Sequence, residues 1–207
     1  MSQSIVRLFV SERKQIAPMA DEKLPARISH RLFATSRSEM GIIMCRDILI
    51  AVYSNTGNTN RIARVLQTIT GGELVEVFPA QPYPGDGSLM KRQVESEIKC
   101  GECPPLLAVR SCYIKRFGCL FAGTPNWFGS IAPPLASFLK NYSFTQKTII
   151  PFVSHDGGGA GDVRSEIQKI CPHADVTEAL CVYKDGGEGL EEQITEFLRS
   201  IDWKEYT

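Results

Sequence analysis

From residue 47 onward, apolar positions fall in two alternating rhythms, short unbroken runs followed by runs spaced three or four residues apart. Residues 47–53 (DILIAVY) form the first unbroken run and predict a strand, and residues 60–70 then place Ile62, Val65 and Leu66 on one helical face. Residues 73–78 (ELVEVF) predict a second strand. Beyond a loop punctuated by Pro and Gly, residues 88–99 carry helical spacing at Met90, Val94 and Ile98. A short buried strand is expected over 118–123 (GCLFAG), followed by a loop and a helix over 132–140. Residues 148–154 (TIIPFVS) predict a fourth strand, with a helix over 162–170 behind a glycine run. The fifth strand is expected over 175–183, and the closing helix over 190–201 has an apolar stripe of Leu190, Ile194, Phe197 and Ile201. Five strands alternating with five helices predict an α/β fold with a parallel, doubly wound sheet.

Residues 1–43 show neither rhythm, only scattered Arg, Ser and Pro, and predict a weakly ordered extension ahead of one domain spanning 45–207. Glu12, Asp21, Glu22 and Glu39 argue against an organellar transit peptide, because such peptides avoid acids. Met40 and Met44 are also compatible with a start of translation just before the first strand. The extension holds seven Lys and Arg against four acids, which leaves the rest of a formally neutral chain at about −3. No basic face for nucleic acid stands out. The longest apolar runs are strand-sized, short of the roughly 20 residues of a membrane span, which predicts a soluble chain with no membrane insertion.

Seven cysteines, Cys45, Cys100, Cys103, Cys112, Cys119, Cys171 and Cys181, form an odd set, and no stretch of the sequence reads as a convincing secretory signal. Free thiols in a reducing compartment, the cytoplasm, are the expectation. Cys119 and Cys181 sit inside apolar runs and are expected to pack in the core. Cys100 and Cys103 form a CxxC, but no second pair accompanies it for zinc. It also follows a helix rather than opening one after a strand, so neither metal nor disulfide chemistry is assigned to it here.

In doubly wound sheets ligands bind beyond the carboxyl ends of the strands, where the winding reverses. Three loops at such ends are chemically unusual. Ser54-Asn55-Thr56-Gly57-Asn58-Thr59 joins the first strand to a helix and offers hydroxyls, amides and backbone N–H groups at a helix N-terminus, a set able to surround a phosphate. It contains no Lys and matches neither GxxxxGK[ST] nor GxGxxG, so a monophosphate held by neutral donors fits better than a triphosphate or a dinucleotide. A simple capping turn accounts for the same residues equally well. Thr124-Pro125-Asn126-Trp127-Phe128-Gly129 places two aromatics in a turn, where Trp127 offers a platform for a flat ring and Phe128 is expected to pack on the next helix as a lid. In Ser154-His155-Asp156-Gly157-Gly158-Gly159-Ala160-Gly161 the glycines would let backbone approach a ligand closely, or serve as a hinge or plain linker.

The segments YSNTGNT (53–59), GTPNWFGSIAPP (123–134) and PFVSHDGGGAG (151–161), in this order, resemble the flavodoxin family, in particular bacterial flavodoxin-like proteins with a GTPxWxG loop. The resemblance covers about residues 46–203. It implies a three-layer sandwich around a five-stranded parallel sheet of order 2-1-3-4-5 that holds FMN non-covalently. Ser54, Asn55, Thr56, Gly57, Asn58 and Thr59 would then hold the phosphate, Thr124, Pro125, Asn126, Trp127, Phe128 and Gly129 would flank the ring with Trp127 stacked on it, and Ser154, His155, Asp156, Gly157 and Gly158 would line its other side. The fifth strand runs into its helix without the long insertion of long-chain flavodoxins, which makes this resemble the short-chain form. Its loop after the fourth strand has no Tyr or Trp to cover the ring's outer face, a place His155 would partly take.

With a bound flavin carrying the chemistry, no catalytic side chain is named. The leading expectation is an electron carrier docking to protein redox partners. An FMN-dependent NAD(P)H oxidoreductase acting on quinones or similar acceptors is the alternative, favoured by the uncovered ring face, and a non-flavin interaction domain is the third.

Overall fold

The computed structural model describes residues 48–108 and 114–203. The expected extension over residues 1–43 lies outside the described residues, as do Cys45 and Cys112. In chain order the elements are β1 (Ile48–Val52), α1 (Asn58–Thr70), β2 (Glu73–Glu76), α2 (Gly87–Cys100), β3 (Cys119–Trp127), β4 (Ser130–Ile131), α3 (Pro133–Asn141), β5 (Thr148–His155), α4 (Val163–Ile170), β6 (Asp175–Val176), β7 (Leu180–Tyr183) and α5 (Leu190–Ser200).

The sheet runs β2-β1-β3-β5 with parallel pairing throughout, and β6 and β7 together occupy the place beside β5. The expected order 2-1-3-4-5 therefore holds, with the fifth position filled by two short strands. The cause lies in β5. Ile149 accepts from the Thr177 N–H on this side, and backbone groups point the same way every second residue, so the donor that Pro151 lacks is missing on the side of the fifth strand. Register shifts there by one residue: Ile149 is opposite Val176 but Phe152 is opposite Leu180. Three residues, Thr177, Glu178 and Ala179, thus span two of β5, a bulge of the kind proline imposes. Arg164 of α4 closes the break by donating to the carbonyls of Thr177 (2.9 Å) and Val176 (3.1 Å).

Strand periodicity divides the core in two. Odd residues of β1 and even residues of β3 (Leu49, Ala51, Leu120, Ala122) pack with Leu135, Phe138 and Leu139 of α3 and Val163 and Ile167 of α4. The opposite set (Ile50, Val52, Phe121, Phe152) packs with Ile62, Ala63 and Leu66 of α1 and Leu190, Ile194 and Leu198 of α5. Full burial of side chains the size of Phe121, Phe138 and Phe152 stabilises the fold by roughly 1.5–3 kcal/mol each. On α5 the buried line is completed by Leu198, with Phe197 and Ile201 flanking it half-buried. Cys119 is buried as expected, whereas Cys181 is half-buried, because Leu180 and Val182 take the inward positions of β7. Among the described residues, no helix is long and apolar enough to cross a membrane.

Candidate functional site

The carboxyl ends of β1, β3 and β5 open into a cleft of about 440 Å³. Its walls are Asn55, Thr56 and Asn58 from the loop after β1, Pro125, Asn126, Trp127 and Phe128 from the end of β3, Ser154, His155 and Asp156 from the end of β5, and Gly87, Met90, Lys91 and Val94 from α2. Clefts of this size, apolar with a few convergent polar groups, are typical of small-molecule sites.

The loop after β1 is arranged by its own hydrogen bonds. Ser54 Oγ accepts from the Gly57 N–H (3.1 Å), and Gly57 takes φ 95°, a left-handed conformation that glycine adopts without strain. Gly57 is the N-cap of α1 and provides no side-chain cap, so the first N–H groups of the helix lack the partner that the Asp86 carboxylate gives α2 through Ser88 (2.8 Å) and Leu89 (3.0 Å). Thr59 turns inward: it is 1% exposed, and its hydroxyl shares a 2.8 Å hydrogen bond with the buried Ser154 hydroxyl, tying the α1 terminus to the end of β5. Asn55 Nδ2 reaches Met90 Sδ at 3.6 Å across the cleft.

The second segment is a hairpin rather than a loop. β3 continues to Trp127, and Asn126 and Trp127 pair with Ile131 and Ser130 of β4 around a two-residue turn, Phe128-Gly129, with φ of 57° and 81°. Positive φ at both positions is the turn geometry that follows strand twist, and Asn-Gly is its usual sequence. Phe128 is thus held in a conformation costly for a bulky side chain, and it is 58% exposed at the cleft rather than packed on the following helix as expected. Trp127 is half-buried, wedged edge-on against Tyr53 (centroids 5.4 Å apart) and Tyr83 (5.3 Å). Tyr83 in turn donates to Glu97 Oε2 (2.6 Å), and Gln93 donates to Glu97 Oε1 (2.8 Å), so a carboxylate 9% exposed is satisfied behind the aromatic group. Burial first, and then the Glu97 carboxylate, push both tyrosine hydroxyls above their ordinary range.

Thr124 is fully buried; its hydroxyl accepts from the Ala132 N–H (2.9 Å) and donates to the Pro125 carbonyl (2.9 Å), which fixes the entry to α3. The glycine segment after β5 approaches protein backbone. A Cβ on Gly161 would meet the Gly129 carbonyl oxygen at 2.2 Å, and that same carbonyl accepts from the Asp162 N–H (2.7 Å). Asn126 completes the junction, donating to Gly159 O (2.7 Å) and accepting from the Gly129 N–H (2.8 Å). His155 Nδ1 accepts from the Gly157 N–H (3.0 Å), and the ring meets Tyr183 edge-on at 5.9 Å.

The sequence profile of the flavodoxin family matches residues 47–198. The chain belongs to the flavodoxin family. Solved relatives agree with it. A proposed flavoprotein from Bacteroides eggerthii is 26% identical and covers 75% of this chain and 98% of its own, with a TM-score of 0.67. A second, from Bacteroides uniformis, is 21% identical over 72% and 97% of the two chains, with a TM-score of 0.64. A flavoprotein from Lactobacillus acidophilus solved in complex with FMN shares the fold at 19% identity, over 72% and 99%, with a TM-score of 0.54. No curated protein matches the chain.

Within this flavodoxin fold, the three expected segments do meet at one cleft, but not through all their residues. Ser54, Gly57, Thr59, Thr124, Gly129, Gly157 and Gly158 do not line it in this structure and instead shape the loops that do. The wall supplied by α2 was not foreseen. Its signal was present, since Met90 and Val94 mark the helix face and Asp86 followed by Ser88 marks its start, but nothing in the spacing says that this start faces the loop after β1. Lys91 thereby brings to the cleft a cation that the loop after β1 itself lacks.

Proposed function

We propose that this flavodoxin-family chain binds FMN in the cleft and transfers electrons through it. The observation carrying this reading is the uncapped N-terminus of α1, flanked by Asn55, Thr56 and Asn58 and opening into the same cleft as Trp127 and Lys91. N–H groups without a side-chain partner, beside amide and hydroxyl donors, fit a phosphate monoester. Trp127, braced by two tyrosines, fits a flat ring through its remaining accessible surface. Bound there, a flavin supplies one- and two-electron redox chemistry. The protein's part is to orient the ring against Trp127, to hold the phosphate at α1, and to shape access through Phe128 and His155. In this reading the GTPNWFG segment is the ring-side loop.

A second reading, an FMN-dependent NAD(P)H oxidoreductase, is favoured by one feature. The end of β5 gives the cleft His155 and Asp156 but no aromatic cover, which leaves room for a nicotinamide against the ring.

Absorbance spectra with added FMN, followed by anaerobic NADH or NADPH, separate these readings. Shifted flavin bands without bleaching indicate a carrier served by a separate reductase, rapid bleaching indicates the oxidoreductase, and no uptake of FMN defeats both. Trp127→Ala should weaken FMN binding about tenfold through lost stacking, and Thr56→Val about fivefold through a lost hydrogen bond. Unchanged affinity in both variants would show that the cofactor is not held here.

A further inference from the structure

A second cavity, of about 240 Å³, shares no lining residue with the first and is lined by Cys103, Glu97, Glu102, Lys140, Glu166 and Lys169 among others. Cys100 ends α2, and Gly101 at φ 66° reverses the chain, with the Glu102 N–H donating back to the Glu97 carbonyl (2.9 Å). Cys103 follows two residues after the reversal, its Sγ 4.0 Å from the Gly101 carbonyl oxygen. Immediately afterwards the chain is fixed to α3, where Ser137 Oγ donates to the Pro104 carbonyl (2.7 Å). From the same helix, Lys140 Nζ lies 3.1 Å from Cys103 Sγ and 3.4 Å from the Gly101 carbonyl. Cys103 is half-buried at the cavity and Cys100 is exposed. The other described thiols differ: Cys119 and Cys171 are buried, and burial pushes the Cys181 thiol up and that of Cys171 up to about 11.

We propose that Cys100 and Cys103 form a thiol redox pair that exchanges with small-molecule disulfides, with Cys103 as the attacking sulfur and Lys140 as its charge partner. A partly exposed thiol held beside an ammonium, three residues from a second thiol, is the setting in which cysteine is reactive. Cys103 sulfur attacks one sulfur of a disulfide RSSR; the S–S bond breaks, RS⁻ leaves, and a mixed disulfide forms on Cys103. Cys100 sulfur then attacks Cys103 sulfur and expels the second RS⁻. Two protein thiols are oxidised to one disulfide, RSSR is reduced to two thiols, and the two protons from the cysteines pass to the departing thiolates. The proposal is independent of flavin binding.

The test uses the full chain, reduced and freed of reductant under argon, then treated with oxidised glutathione, trapped with N-ethylmaleimide and digested with trypsin. Cleavage after Lys99 and Arg110 releases one peptide, residues 100–110, that contains both thiols. The expected product is this peptide lighter by two hydrogens, formed while Cys119, Cys171 and Cys181 remain reduced. Cys100→Ser should stop at glutathione on Cys103. Lys140→Met should slow the reaction about tenfold and Lys140→Arg should restore it, with far-ultraviolet circular dichroism confirming that each variant is folded. A stable glutathione adduct on Cys100 in the unmutated chain, a Lys140→Met rate equal to the parent's, or reaction at the buried thiols first would each overturn the proposal.

Discussion

Phe128 sits where a tight turn of this kind usually has Asn. At φ 57° in a tight hairpin, with its ring 58% exposed, it gains little burial to offset a left-handed backbone whose penalty for ordinary L-residues is about 1–2 kcal/mol. Phe128→Asn should therefore stabilise the protein by about 1 kcal/mol in urea denaturation. If FMN affinity or reduction by a partner falls in the same variant, the ring is kept for contact at the cleft, and a loss of stability would instead show that it packs in solution. The identities of the polar residues here were legible from the sequence, but their directions were not. Thr59 and Thr124 look like phosphate and ring donors when read along the chain. Each also makes an internal hydrogen bond, Thr59 with Ser154 and Thr124 with the Ala132 N–H, across separations that local pattern does not encode.

Individual elements impose tighter limits than composition suggests. On β3, a Cβ at Gly123 would fall 2.1 Å from the ring of Phe152, which is fully buried between β5 and its covering helices. Gly123→Ala should cost about 1–3 kcal/mol through overpacking, read as a lower urea midpoint with an unchanged slope. At the start of α2, the Ser88 hydroxyl and then the N–H groups of Leu89 and Ser88 hold the Asp86 carboxyl below its ordinary value. Folding thus favours its charged form, and the stability this brings is full above the ordinary carboxylate range and lost as pH falls through the lowered value. Asp86→Asn should remove that part of the acid-side decline in Tm, and an unaltered acid profile would show that the cap contributes nothing. Hydrophobic rhythm located the α-helices among the described residues to within two residues, most plainly α1 and α5, which each bury one stripe. It missed the extension of β3 to Trp127 and the split of the fifth strand, since both depend on pairing with a neighbour rather than on local sequence.

At the scale of the whole molecule, the tyrosines behind Trp127 join the sheet to α2. Tyr83 is raised by burial, then by its hydrogen bond to Glu97, above its ordinary 10.0. The neutral hydroxyl is therefore the folded form's preference: its contribution is full below about pH 10 and is lost as pH climbs from there towards the raised value. Tyr83→Phe should flatten the alkaline loss of stability while lowering stability at neutral pH by roughly 1–3 kcal/mol, because Glu97 loses a donor. An unchanged alkaline profile would place the titration elsewhere. Parallel winding and the position of the cleft were legible at this scale, since alternating strands and helices leave few topologies open.

The broken fifth strand has a consequence beyond the site. It forms one border of the sheet, and an unbroken border strand would present a straight ladder of backbone groups on which a strand of another molecule could assemble. Pro151 interrupts that ladder through the bulge it imposes, and Arg164 occupies the carbonyls of Val176 and Thr177 with a charged side chain. The same residues that shorten the strand thereby leave this border without the straight ladder that edge-to-edge pairing requires.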